Sequence, residues 1–324
     1  MTASAEHIKA MVRSHASGDD AQFYAIALQV AARSARQGHQ KAATELKELI
    51  EDARKKGRVL PSSVTAITKP RGEIADLVTA AFPETHLRDL VAPESVVSAI
   101  TQVISEQRRR RHLESNGFEP IHRLLLEGPP GTGKTMTASV LATELSLPLL
   151  TIRLDAVLSK FLGETSSKLR VLFDGVAQQR AVYLFDEFDA LGGHRAGNDV
   201  GEARRILNSF LVFLEQSSPE SILVAATNHI ELLDRALFRR FDIAISYELP
   251  DADATVKVLK KRLGSLGRGI RWATIKSNPS GLSHAELVKA AEMAAKRALL
   301  REESIVTTEG LMAALHQRRE SSGA

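Results

Sequence analysis

A parallel α/β sheet core, followed by a helical lid and preceded by a small helical module, is the fold this sequence predicts. Three observations predict it. Five apolar runs, at 124–126, 149–152, 182–185, 222–226 and 243–247, are separated by helical patterns at 135–145, 165–179 and 202–216. Strand and helix in alternation imply a parallel sheet covered on both faces. A glycine-rich run, Gly128-Pro129-Pro130-Gly131-Thr132-Gly133-Lys134-Thr135, lies between the first strand and the first helix of that series. After Pro250 the periodicity is helical only.

The N-terminal segment, 1–57, carries a helical stripe. Phe23, Ile26, Ala27, Val30 and Ala31 recur at helical spacing behind a capping cluster at Ser17 to Asp20, and Gly38 ends the run. A second stripe follows through Ala42, Leu46, Leu49, Ile50 and Ala53, and Ile8, Met11 and Val12 begin a shorter one. A unit of ~50 residues has a marginal core alone, so its apolar face has two readings, internal core or partner docking. Segment 58–85 reads as a linker with a short helix at Glu73 to Ala81, ended by Pro83. The large α/β domain is expected over 86–250 and the lid over 251–324. Pro93 to Arg111 forms a helix ending in four arginines, Arg108 to Arg111. That run reads as a solvated face or as a contact for phosphate or an acidic partner. In the lid, helices are expected at Ala254 to Leu263, Ser283 to Arg301 and Thr308 to Arg319, with Ser283 and Glu286 as a capping box.

Composition bounds the chemistry. The 324 residues are 44% hydrophobic, enough for a sizeable core, and include no cysteine. Disulfides, thiolate zinc sites and a cysteine nucleophile are thereby excluded. No signal pattern opens the chain, and no apolar stretch approaches the ~20 residues of a membrane helix, so a cytoplasmic location is expected. A net charge of +4 is a weak pointer to nucleic acid.

The glycine run matches G-x-x-x-x-G-K-[ST] at every fixed position, the pattern of a phosphate-binding P-loop. Its glycines let backbone N–H groups converge on a phosphate chain at a helix N-terminus. Lys134 then reaches the terminal phosphates and Thr135 offers its hydroxyl to Mg²⁺. The run Gly128 to Thr135, together with Met136, is expected to bind the cofactor through its phosphate chain. Val182 to Phe185 delivers the adjacent carboxylates Asp186 and Glu187, and strand alternation would aim them differently. Asp186 suits the metal and Glu187 the activation of water. Ile222 to Ala226 delivers Thr227 and Asn228 at a strand end, where Asn228 could hold the attacking water. Arg239 and Arg240 follow, able to stabilise a transferring phosphoryl group within one subunit or across an interface.

Taken together, Gly128 to Thr135, Leu184-Phe185-Asp186-Glu187-Phe188-Asp189, Ala226-Thr227-Asn228 and Asp234 to Asp242 resemble the Walker A, Walker B, sensor 1 and second-region-of-homology motifs of AAA+ ATPases, within the classical AAA clade. The resemblance covers about Leu87 to Arg319. Ser159-Lys160-Phe161-Leu162-Gly163-Glu164-Thr165 is similar to that clade's first pore loop, which implies Phe161, Leu162 and Gly163 on the axial channel of a hexamer. Two departures stand out. The usual R-x-G-R-F-D is shortened to Arg239-Arg240-Phe241-Asp242, leaving open which arginine reaches a neighbour. The lid motif G-x-S-G-A-D-L is matched by Gly281-Leu282-Ser283-His284-Ala285-Glu286-Leu287, with His284 in place of glycine. His284 has two readings, a ribose or adenine contact or an exposed histidine at a helix start.

The resemblance implies an ATPase that remodels, unfolds or disassembles a protein substrate as a homo-oligomeric ring. A rival is an ATP-driven switch that activates a bound partner without threading; a nucleic-acid motor is opposed by the pore-loop similarity. The helical module on a small core also looks like the bacterial ATPases paired with a subtilisin-like serine protease in plasmid stability and phage defence.

Overall fold

The computed structural model describes residues 72–157, 162–191, 200–232, 238–277 and 281–322, with the isolated helical positions Ala27, Val30 and Thr44. The chain divides into two units, Met1–Thr68 and Lys69–Ala324. The expected N-terminal helices, the linker up to Arg71 and Phe161 lie outside the described residues. The sheet, the glycine-rich loop and the lid all belong to the second unit.

The centre of that unit is a six-stranded sheet in the order β1-β3-β4-β5-β2-β6. The strands are β1 (Val78–Ala81), β2 (Arg123–Glu127), β3 (Leu149–Ile152), β4 (Val182–Phe185), β5 (Ile222–Thr227) and β6 (Ile243–Ser246). All pairings are parallel except β1 with β3. The five expected strands are present within a residue or so of their predicted ends. The sixth, β1, corrects the short helix expected at Glu73 to Ala81: a 3-10 turn, Gly72–Asp76, leads into the strand. Its pattern hid it, because only Val78 of its four residues is buried, and an edge strand of that length shows no alternation. Segment 58–85 therefore contributes to the sheet.

Central strands β4 and β5 are buried at every position, which explains their unbroken apolar runs. One face packs Leu125, Tyr183, Phe185 and Leu223 against α5 (Leu162–Gln178) and α6 (Val200–Glu215), where Phe210 meets Phe173 and Phe185 edge to face and Phe188 at a tilt. The other face packs Leu124, Leu126, Leu184 and Val224 against α1 (Glu94–Arg108) and α3 (Lys134–Leu145). Two short helices, α2 (Arg110–Ser115) and α4 (Leu154–Val157), complete this part.

The lid has its own core, with Leu259, Leu287, Ala291 and Leu311 fully buried. It comprises α7 (Ala252–Leu263), α8 (Trp272–Lys276), α9 (His284–Leu300) and α10 (Thr308–Ser322). The run of alanines on α9 lets neighbouring helices approach closely. Ser283 caps α9 as its pairing with Glu286 predicts, its hydroxyl accepting from the Glu286 N–H.

Asp242 fastens the start of β6 to the start of β2. One carboxylate oxygen accepts from the His122 and Arg123 N–H groups, each at 2.9 Å, and the other from the Arg123 guanidinium at 2.7 and 3.0 Å. Burial pushes the carboxyl pKa up, but the Arg123 side chain and these backbone donors outweigh it and hold it below the ordinary value. Asp242→Asn should cost about 3 kcal/mol at neutral pH, read by urea denaturation. Because a depressed pKa stabilises only while the carboxylate is charged, the gap to wild type should close as pH falls through that pKa. A gap unchanged in acid would contradict this role.

Candidate functional site

The site forms where β2, β4 and β5 end together. β5 lies between the other two, and its register sets Glu127 level with Thr227 and Phe185 level with Ala225. Adjacent strands sit about 4.8 Å apart, so the residues following them share one sheet edge.

From β2 the chain enters the glycine loop. Gly128, Gly131 and Gly133 hold φ of +136°, +75° and +113°, which side chains oppose. At Gly128 a Cβ would also stand 2.2 Å from the Tyr247 carbonyl oxygen, a backbone atom that cannot yield. Thr132 steadies the loop by donating to the Pro129 carbonyl at 2.8 Å. Lys134 opens α3 nearly buried, and its ammonium donates to the Gly128 and Pro129 carbonyls at 2.6 and 2.8 Å. Burial lowers its pKa while Asp186 and Asp189 draw it back up. An ammonium has three donors, so one remains for an anion beyond the loop. Behind α3, Thr137 Oγ1 lies 2.5 Å from the buried Tyr247 hydroxyl, whose pKa burial pushes up to about 12.

Thr135 donates its hydroxyl to Asp186 at 2.8 Å. The other oxygen of Asp186 accepts from the Glu187 N–H at 3.0 Å. Here the alternation argument needs correction, since β4 ends at Phe185 and Glu187 has a left-handed backbone, φ +51°. A turn, not strand pleating, separates the two carboxylates. Asn228 lies at the end of β5, its N–H 3.4 Å from Asp189. The same oxygen of Asp189 takes a 2.9 Å bond from the Thr227 hydroxyl. Sequence reasoning gives Asp189 a place in a motif but no role; its position two residues after Glu187, inside the 3-10 turn that follows β4, is the signal that could have supplied one.

A cavity of about 680 Å³ brings together Lys134, Thr135, Asp186, Glu187 and Asn228, with His284 entering from the lid. A second, of about 360 Å³, has apolar walls including Leu90, Val91, Met136, Val258 and Val288. Met136 and His284 border both. His284 is half-buried rather than exposed, and neither ring nitrogen has a well-formed hydrogen bond among the described residues. Burial lowers its pKa, with the Val91 backbone pulling the other way. The exposed reading of His284 fails because the ring turns in over the loop. Lid and loop are joined directly: the Ala285 N–H donates to the Gly131 carbonyl at 3.0 Å.

Arg239 and Arg240 stand apart from both cavities. Arg240 pairs with Glu215 at the end of α6, whereas Arg239 is exposed and has no partner among the described residues. Leu162 and Gly163 open α5.

Among the described residues no group of three or more histidines, cysteines or acids could hold a metal alone. The adjacent Thr135 hydroxyl and Asp186 carboxylate are hard oxygen donors, which fits Mg²⁺ shared with phosphates rather than a protein-only cage. No helix among the described residues is long and apolar enough to cross a membrane.

Residues 124–249 match the model of the ATPase family associated with various cellular activities (AAA). An AAA family ATPase, y4kL, of Sinorhizobium fredii is 31% identical over 301 residues, 92% of this chain and 90% of that protein. The proteasome-activating nucleotidase of Methanoculleus marisnigri is 29% identical over 269 residues, 79% of this chain and 64% of its own length. The ATP-dependent zinc metalloprotease FtsH 3 of Phytoplasma mali is 32% identical over 230 residues, and the match spans 68% of this chain but 37% of the metalloprotease. In fold, the crystal structure of the FIGL-1 AAA domain matches with a TM-score of 0.62 at 22% identity, over 79% of this chain and 92% of that one. The chain belongs to the AAA family of ATPases, and its reaction is the hydrolysis of ATP.

Proposed function

We propose that this ATPase remodels, unfolds or disassembles a protein substrate, working as a homo-oligomeric ring, a hexamer, in which each active site is completed by arginine from the next subunit. One observation carries the reading: Lys134, Thr135, Asp186, Glu187 and Asn228 share a cavity, while Arg239 faces solvent away from it without a partner among the described residues. A guanidinium is the group suited to a transferring phosphoryl, and an exposed one is available to a neighbour. Similarity to a proteasome-activating nucleotidase and a metalloprotease named as ATP-dependent supports a protein substrate.

In this reading the loop N–H groups, Lys134 and the start of α3 bind the phosphates, and Thr135 and Asp186 hold Mg²⁺, which supplies charge neutralisation at the phosphates when bound. Glu187 takes the proton of the attacking water and Asn228 orients that water. The apolar cavity receives the base, with Met136 and His284 at its junction with the phosphates. Phe161, Leu162 and Gly163 grip the substrate in the ring's channel. Delivery to a separate subtilisin-like serine protease, in plasmid stability or phage defence, is the pathway that the helical spacing expected over 1–57 suits.

The test is subunit mixing. Arg239→Ala should bind ATP and lose most hydrolysis, and so should the hydrolysis-deficient Glu187→Gln. Mixed, they should regain turnover at interfaces where a Glu187→Gln subunit lends its intact arginine to an Arg239→Ala site. Specific activity of the wild type should also rise with concentration until rings form. No regain on mixing, together with concentration-independent specific activity, would overturn the ring. Phe161→Ala, with ATPase retained, should abolish work on a partner; retained work would favour the switch.

A further inference from the structure

At the opposite edge of the sheet from the nucleotide lies a second charged cluster. Arg180 stands just before β4 and Glu220 just before β5, at the strands' N-terminal ends. Arg110 reaches the same place from α2, its Nη2 3.6 Å from the Glu220 carboxylate. Arg180 Nε donates to the Glu220 carbonyl at 3.0 Å, and the buried Gln107 side chain donates to the Pro219 carbonyl at 3.5 Å. The backbone at 219–220 is thus fixed, and the guanidiniums are built around it.

The charges there do not balance. Arg110, Arg111 and Arg180 lie close enough for Arg110 and Arg111 both to depress the Arg180 pKa, after burial, with Glu220 opposing them. Among the described residues Glu220 is the one acid acting on Arg180, and it serves poorly: 3.6 Å from Arg110 is beyond a good hydrogen bond, and its side chain is 59% exposed against 16% for Arg110. Nη1 of Arg110 is buried with no partner among the described residues. A buried donor left unmet on a charged group is costly, so this guanidinium is held in place at a cost while its Nη2 faces the weakly placed Glu220.

We infer that Arg110 and Arg180, with Arg111, form a receptor for carboxylate groups of an acidic protein segment, a site separate from ATP hydrolysis. The class of ligand follows from Glu220, which already offers a carboxylate to Arg110 at a distance and exposure that leave it displaceable. A carboxylate entering from solvent would take the place of Glu220 at Nη2 of Arg110 and draw on the free ends of Arg180. The net charge of +4 is too small to draw nucleic acid to the whole surface, so the recognition is local.

The test uses the full chain and a fluorescein-labelled oligoglutamate peptide, followed by anisotropy at low and physiological ionic strength, with oligodeoxythymidine as comparison. Wild type should bind the peptide and prefer it to the oligonucleotide. Arg110→Gln and Arg180→Gln should each weaken peptide binding about ten-fold, the worth of one charge-assisted bond, while basal ATPase stays at the wild-type level and reports the fold. Glu220→Gln, an exposed change, should tighten binding several-fold by removing the competing carboxylate. Preference for the oligonucleotide, arginine variants that bind as wild type, or a Glu220→Gln variant without gain would each overturn the assignment.

Discussion

Glu187→Gln should bind ATP as tightly as the wild type and hydrolyse it about 10² times more slowly or worse. The substitution is close to isosteric, so the left-handed backbone at this position, φ +51°, meets no new steric demand. Asp186 takes its hydrogen bonds from Thr135 and from the Glu187 backbone N–H, which glutamine keeps. Lys134 and the loop are likewise untouched. What disappears is the carboxylate that, in the proposed mechanism, takes the proton of the attacking water. A single-turnover assay alongside a nucleotide titration separates the two quantities. Near-normal turnover would move the role of base to another group, with Asp189 the nearest carboxylate in sequence beyond Asp186, the proposed metal ligand.

Lys134→Ala should fail earlier, at binding, with ATP affinity down roughly 100-fold, the equivalent of about 3 kcal/mol in charge-assisted bonds. Two effects add. The phosphate chain loses its buried ammonium, and the Gly128 and Pro129 carbonyls lose the donor that holds them at 2.6 and 2.8 Å. The loop that cradles phosphate is therefore weakened together with its charge. Calorimetric titration measures the affinity directly, and an unchanged dissociation constant would show that the ammonium does no more than brace the loop.

Much of this was legible in the chain because the signals were local. The loop's glycines, the apolar strands and the acid pair after β4 each declare themselves within a few residues, and parallel order then obliges their ends to meet. The features that escaped depend on distant partners. β1 becomes a strand because β3 offers it an edge. Asp242 is a staple because Arg123 lies beside it in space. Glu187 leaves the strand's alternation because the turn to Phe188 demands it. His284 is half-buried because the start of α9 meets the glycine loop, which no short window contains.

The bond from Ala285 to Gly131 has a mechanical consequence. It lies at the first turn of α9, a rod of 17 residues. Such a helix is about 25 Å long, so a rotation of about 5° about that bond sweeps its far end through roughly 2 Å. The far end carries Leu299 and Leu300, the latter 86% exposed. A rotation of the lid about that loop carbonyl would therefore show most at this pair of leucines, at the other end of α9 from the glycine loop.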